Sequence, residues 1–356
     1  MGVPDVNNTA VKETVAFVDD LKFAINQKIK LNTTKFDKIC ICGMGGSAIG
    51  GDLLLDLMAQ ESAVPMTVVR SIDIPNWVNK DTFVIVCSHS GNTKETLSMY
   101  DQAVERGCGI IAITSGGTLK EKCDEKGHLV IQLKGDIQPR NSLGLVLGYL
   151  ANVMETIGVA KCRKEIKKLI PHLNKLRNTI GFKTPNNYAR RVAKEIYGTI
   201  PVIYSTSGIT ASANRWKSQI NENAKMMAFN GSLPEINHNE IIGWAEGLEK
   251  FNCCPVFLYE EDAPDIMKNM ANAAIETLKS FDVSPIVVTI RGKTVLERSL
   301  RAVMFGDYIS LYLAFMNNVD PMGIESITSF KEKVAFVLSK RSRKDKKNKK
   351  SPPKHI

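Results

Sequence analysis

Short apolar runs at 38–42, 64–69, 83–87, 110–113 and 129–133 alternate with stretches at 48–58 and 94–105 whose apolar residues recur at helical spacing. The runs are rich in Val and Ile and mostly apolar throughout, the pattern of strands covered on both faces. Strands and helices in alternation predict a parallel sheet with helices on both sides. The pattern breaks at a charged amphipathic stretch, 161–177, and at the turn Thr184-Pro185-Asn186. It resumes with strands at 201–204, 253–258 and 285–290 and helices at 211–227, 265–280, 295–316 and 324–338. The expected architecture is α/β: an N-terminal domain at 1–157 that carries a helical extension, a helical linker at 158–187 and a C-terminal domain at 188–339. Each domain contains a strand, a turn with Gly and Ser, and a helix, at 41–49 and 203–212, a faint sign of duplication.

The most apolar long stretch, 143–160, contains Asn152 and Glu155 and is expected to be a buried helix rather than a membrane span. Its Gly144 and Gly148 suit close helix packing. Residues 1–8 are polar and do not resemble a secretion signal. The eight cysteines include no C-x-x-C pair and no Cys/His cluster with zinc spacing, so they read as thiols of a reducing compartment. Cys40 and Cys42 are expected on opposite faces of the first strand. The expected location is the cytoplasm.

The net charge of +10 is concentrated at the end of the chain. Residues 340–356 hold nine Lys or Arg against Asp345, or +8, which leaves +2 for the rest. This tail is too charged to pack and is expected to be disordered. It could touch an acidic surface or nucleic acid, but the near-neutral body is not that of a nucleic-acid-binding protein.

Five segments could carry chemistry. In Gly43-Met-Gly-Gly-Ser47, glycines let the backbone approach a ligand, and the following helix offers free N–H groups to an anion. Gly43-x-Gly45-x-x-Ala48 also fits a dinucleotide fingerprint, but Arg70 stands where its acid belongs, with Asp73 three residues on. Ser88-His-Ser-Gly-Asn-Thr93 places hydroxyls at the start of a helix, which suits a phosphate dianion held without lysine or metal. A helix cap at Asn92 or Thr93 with Glu95 is the plainer alternative. Asn221-Glu222-Asn223 and Asn237-His238-Asn239 each set one titratable group between amides, a plausible acid/base pair. Gln138-Pro139-Arg140 offers a guanidinium suited to phosphate or an enediolate.

Gly43-Met-Gly-Gly-Ser-Ala-Ile-Gly-Gly-Asp52, Ser88-x-Ser-Gly-Asn-Thr93, Gln138-Pro-Arg140, Asn221-Glu-Asn-x-Lys225 and Pro234-Glu-x-Asn-His-Asn-Glu240 follow one another in this order. Together they resemble the archaeal and bacterial bifunctional phosphoglucose/phosphomannose isomerases, which are built from two sugar-isomerase (SIS) domains. The resemblance runs from about residue 38 to 338. It implies an aldose–ketose isomerase with a metal-free cis-enediol mechanism and no cofactor. It implies that Gly46, Ser47, Ser88, Ser90 and Thr93 bind the substrate phosphate. Glu222 would be the base and Arg140 would stabilise the enediolate. His238 would assist ring opening from the other subunit of a homodimer, and Lys331 would lie near the ring oxygen. His89 stands where the family often has Tyr, and a histidine there is expected to change charge near neutral pH. Met322 stands where many members have Thr, so the glucose activity is implied more firmly than the mannose activity. A non-catalytic SIS module that senses a sugar phosphate would need the hydroxyl turn but neither Glu222 nor His238.

Overall fold

The computed structural model describes residues 5–31, 35–59, 62–247 and 252–334. The strands are β1 (Lys38–Gly43), β2 (Met66–Val69), β3 (Thr82–Cys87), β4 (Gly109–Thr114), β5 (Leu129–Gln132), β6 (Ile200–Thr206), β7 (Phe229–Leu233), β8 (Cys253–Glu260) and β9 (Ile286–Ile290). The helices of the first half are α1 (Thr9–Val15), α2 (Phe17–Ile25), α3 (Ile49–Met58), α4 (Lys94–Glu105), α5 (Gly117–Lys126) and α6 (Leu143–Thr156). Those of the second are α7 (Cys162–Ile180), α8 (Tyr188–Ile196), α9 (Thr210–Ala224), α10 (Glu240–Glu246), α11 (Asp265–Ser280) and α12 (Val295–Met316).

Two parallel sheets result, in the orders β2-β1-β3-β4-β5 and β7-β6-β8-β9. The first four strands of one sheet match the four of the other in order, so the duplication hinted at by two turns extends to topology. In both, the chain reverses direction of travel across the sheet beside the first strand, the place where open α/β sheets bind ligands. Register brings the two glycine- and serine-bearing turns of the first sheet together, because Gly43 pairs with Cys87 at the carboxyl ends of β1 and β3. Both sheets belong to one compact unit that ends at Pro321. Residues 322–334 belong to a second unit and are helical over 325–334.

The helix at 143–156 is buried nearly all round, as its composition predicts. A Cβ on Gly144 would lie 2.4 Å from the Phe17 carbonyl oxygen, and one on Gly148 would lie 2.7 Å from Ala24 Cβ. The two glycines therefore let α2 lie against α6. In α7 one face is buried through Ile166, Leu169, Ile170, Leu173 and Leu176. That face packs on α2, α6 and α12.

Several elements differ from the sequence expectation. Cys40 and Cys42 share a face: residues two apart in a strand point the same way, and their Sγ atoms are 3.7 Å apart in the core. The helix expected over 211–227 ends at Ala224, where Lys225 takes a left-handed conformation with φ 55°. The freed chain forms β7, a short edge strand whose Asn230 and Gly231 give no apolar alternation to read. Helix α5 was hidden by its low apolar content and α8 by its length of nine residues. The expected helix at 324–338 is described only to 334, and the basic tail at 340–356 lies outside the described residues.

Candidate active site

The first turn after β1 forms a single 3₁₀ turn, Gly45–Ser47, that runs into α3. Ser47 is buried, and its Oγ accepts the His89 N–H at 3.1 Å. The 88–93 turn is thereby tied to the glycine turn. Its other side is tied to the end of β4, because the His89 carbonyl accepts from Ser115 N at 2.9 Å and Ser115 Oγ at 2.6 Å. Gly91 sits at φ 66°, and a Cβ there would fall 1.8 Å from the Gly116 carbonyl oxygen. Only glycine fits this position.

The hydroxyls of the turn do not cap α4. Thr93 is the N-cap residue but makes no side-chain cap bond, and Ser88 Oγ lies 3.4 Å from Thr93 Oγ1. Ser90 is exposed and accepts from Asn92 N at 3.3 Å, while Asn92 Oδ1 accepts from Thr118 N at 3.0 Å. Ser47, Ser88 and Thr93 thus converge beside the free N–H groups of a helix start, an arrangement that can bind an anion. His89 is buried, and burial lowers its pKa below the ordinary histidine range. Its ring is therefore neutral at neutral pH, which corrects the expectation of a charge change there. Its Nε2 is buried without a hydrogen-bond partner.

The second half of the site comes from the 3₁₀ turn Pro139–Ser142. It packs directly on Gly46, whose added Cβ would lie 2.8 Å from Arg140 Cα. Arg140 is 3% exposed. Its Nε donates to Asn223 Oδ1 at 2.9 Å, its Nη2 to the Pro321 carbonyl at 2.5 Å, and its Nη1 faces Glu222 Oε2 at 3.5 Å. Burial lowers the Arg140 pKa while Glu222 and Glu13 oppose it. A guanidinium keeps its proton in either case.

Glu222 and Asn223 stand at the end of α9, which begins at the carboxyl end of β6 in the other sheet. Fifteen residues carry the helix about 22 Å, from the carboxyl end of an interior strand of one sheet to the site beside the other. Its first turn is held by Asp56 of α3, whose Oδ2 accepts the Ala211 N–H at 2.7 Å. The Glu222 side chain is 31% exposed, so its carboxylate is open to a substrate. A carboxylate and a guanidinium beside an anion site can move a proton on a sugar phosphate and stabilise the charge that develops.

His238 lies in the 3₁₀ turn Glu235–His238 and is exposed. Among the described residues no hydrogen bond or ion pair joins it to Glu222, Arg140 or the 88–93 turn. Lys331 is exposed on the helix at 325–334. Glu13 was absent from the sequence reading: its Oε2 accepts from Asn141 Nδ2 at 2.7 Å and Gln138 N at 3.3 Å, so α1 braces the turn that carries Arg140. Glu13 belongs to no motif, and only the fold brings it there. At the carboxyl end of β8, the counterpart of the end of β3, the protein pairs its own groups: Glu260 accepts from Arg298 Nε at 2.6 Å and from the Thr206 hydroxyl.

The chain is 34% identical over 311 residues to the bifunctional phosphoglucose/phosphomannose isomerase of Aquifex aeolicus, covering 86% of this chain and 93% of that one. The chain belongs to the bifunctional phosphoglucose/phosphomannose isomerase family. The bacterial phospho-glucose isomerase C-terminal SIS domain matches residues 185–334, so within the phosphoglucose/phosphomannose isomerases the second sheet corresponds to that domain. A further relative, the D-glucosamine-6-phosphate 4-epimerase of Sulfolobus acidocaldarius, is 36% identical over 208 residues, 58% of this chain and 63% of its own. The C-terminal domain of a glucosamine-fructose-6-phosphate aminotransferase from Francisella tularensis shares the fold with a TM-score of 0.68 at 14% identity, covering 88% of this chain and 97% of that one. Among the described residues no helix is long and apolar enough to cross a membrane.

Proposed function

We propose that this protein interconverts glucose 6-phosphate and fructose 6-phosphate, and mannose 6-phosphate and fructose 6-phosphate, by proton transfer through a cis-enediol. Family membership carries the aldose–ketose isomerase activity. The observation that supports the mechanism is the approach of Arg140 Nη1 to Glu222 Oε2 at 3.5 Å, on a turn packed against Gly46 and Ser47. Ser47, Ser88, Ser90, Thr93 and the N–H of Gly46 hold the substrate phosphate. That anchor sets the sugar carbons against the Glu222 carboxylate, which removes the proton at C2 and returns it at C1. As the proton leaves, negative charge grows on the substrate oxygens, and the buried Arg140 meets it. The route uses no metal and no cofactor.

His238 assists ring opening, and the family resemblance assigns Lys331 to the same step. The exposure of His238, with no bond to Glu222 in its own chain, favours its supply to a second copy, so the protein acts as a homodimer. In the same reading the first SIS domain ends at 157 and the second begins at 188, and the working location is the cytoplasm. The tail at 340–356 stands outside the reaction.

The test is Glu222→Gln, assayed in both directions against glucose, mannose and fructose 6-phosphates, with glucosamine 6-phosphate as the control. Loss of a general base is expected to lower kcat at least ~10²-fold. Full turnover with unchanged KM would remove Glu222 as the base. Turnover of the amino sugar phosphate without the hexose phosphates would overturn the assignment of substrate.

A further inference from the structure

The Arg140 guanidinium is almost wholly buried, so protein groups rather than water set its direction. Its Nε–H goes to Asn223 at 2.9 Å and an Nη2 hydrogen to the Pro321 carbonyl at 2.5 Å. The contacts of Nη1 are the long ones, 3.4 Å to Gln138 Oε1 and 3.5 Å to Glu222 Oε2. Nη1 is therefore the donor with room for a substrate oxygen, and because the fork is planar its aim follows from where Nε is held.

The group that holds Nε has its own orientation decided elsewhere. Asn223 is 1% exposed, and its Nδ2 lies 2.9 Å from Ser310 Oγ. The Ser310 hydroxyl hydrogen is committed to the Asp307 carbonyl at 2.8 Å. A hydroxyl has one hydrogen, so Ser310 can only accept from Asn223. The amide must then turn its NH₂ toward Ser310 and its oxygen toward Arg140. The Asp307 side chain is gripped by Arg215 through two bonds of 2.9 Å, and Arg215 Nη2 also donates to the Arg140 carbonyl at 3.0 Å. The same stretch of α12 therefore supports both the backbone and the side chain of Arg140.

Resting on the reading that Arg140 meets the enediolate, we infer that Asn223 is a positioning residue for the isomerisation, and that it must be an uncharged amide held by Ser310. It aligns Nη1 without touching the substrate. A carboxylate in its place would pair with the guanidinium and draw its charge away from the substrate. It would also set two acceptors against each other at Ser310. Because Asn223 follows Glu222, one turn of α9 presents the base and supports the arginine.

The test uses the full chain with Asn223→Asp, Ser310→Ala, Arg140→Lys and the double variant Ser310→Ala/Arg140→Lys. Each is measured for kcat, KM and thermal unfolding. Asn223→Asp is expected to lower kcat ~10²-fold with KM within about threefold, because phosphate binding does not use Arg140. Ser310→Ala, which frees the amide to turn, is expected to lower kcat about tenfold. In the Arg140→Lys background, which lacks Nε, Ser310→Ala should cost no further turnover. If Asn223→Asp does not fold, the cycle between Ser310 and Arg140 decides. Multiplying losses in that cycle, or full kcat in Ser310→Ala while Arg140→Lys is impaired, would overturn the role of Asn223 and leave Arg140 in place. Full kcat in Arg140→Lys would overturn the reading of Arg140 and the inference with it.

Discussion

Replacing Gly46 by alanine adds one methyl group where the two halves of the site touch. The new Cβ would stand 2.8 Å from Arg140 Cα, 2.9 Å from Arg140 N and 3.0 Å from Pro139 C. All three are backbone atoms, so no side chain can rotate away. Ordinary contact begins at 3.4 Å, and the turns carrying Ser47 and Arg140 must separate by about 0.6 Å. Overpacking of this kind costs about 1–3 kcal/mol of stability. Because a misplacement of ~1 Å costs ~10²-fold in rate, about a tenfold fall in kcat is expected. The assay couples glucose 6-phosphate formation to a dehydrogenase and follows unfolding in parallel. Gly45→Ala is the companion: its Cβ meets nothing within 4 Å, but its φ is +50°. It should lose about 1 kcal/mol of stability while kcat stays near that of the unchanged chain. Equal kcat/KM in Gly46→Ala and the parent, at equal unfolding temperature, would refute the claim that this contact sets the spacing of the site.

Burial, the main cause, raises the Asp56 carboxyl to about 7, with Asp52 and Glu260 adding to it and the Ala211 N–H opposing. A carboxyl raised by folding stabilises the protein fully below about pH 4, and that contribution is lost as pH rises through about 7. Allowing for partial exposure, the loss is about 2 kcal/mol, and Asp56→Asn should flatten the decline in urea stability between about pH 4 and 8. An unchanged slope in the variant would exclude Asp56 as its source. Asp307→Asn leaves Arg215 buried with no anionic partner and should cost about 3–5 kcal/mol by chemical denaturation; a loss below about 1 kcal/mol would show the pair is dispensable. Isomerase activity should survive a chelator with kcat unchanged, and loss restored by a divalent cation would refute the metal-free route.

The strands were legible only in part. Apolar runs at 38–42, 83–87 and 110–113 become β1, β3 and β4, because strands buried on both faces must be apolar along their whole length. The edge strand β7 escaped, since a partly exposed strand containing Asn230 and Gly231 has no such requirement. The hydroxyl turn could be read because its residues are local: Ser88 and Thr93 come together within one turn of chain. Its histidine could not, because the burial that keeps His89 neutral comes from groups distant in sequence.

By itself the sequence determined the class of fold, the family and the residue types at the site, because these rest on periodicity and short contiguous motifs. The tertiary structure alone decided that Arg140 would face Glu222, 82 positions away, and that Asn223, Ser310 and Glu13 would hold it in place. It also decided that the second sheet would pair Glu260 with Arg298 at the carboxyl end of β8. A buried guanidinium takes its direction from whatever acceptors the packing of separate helices brings within reach. No local pattern in the chain records those distances.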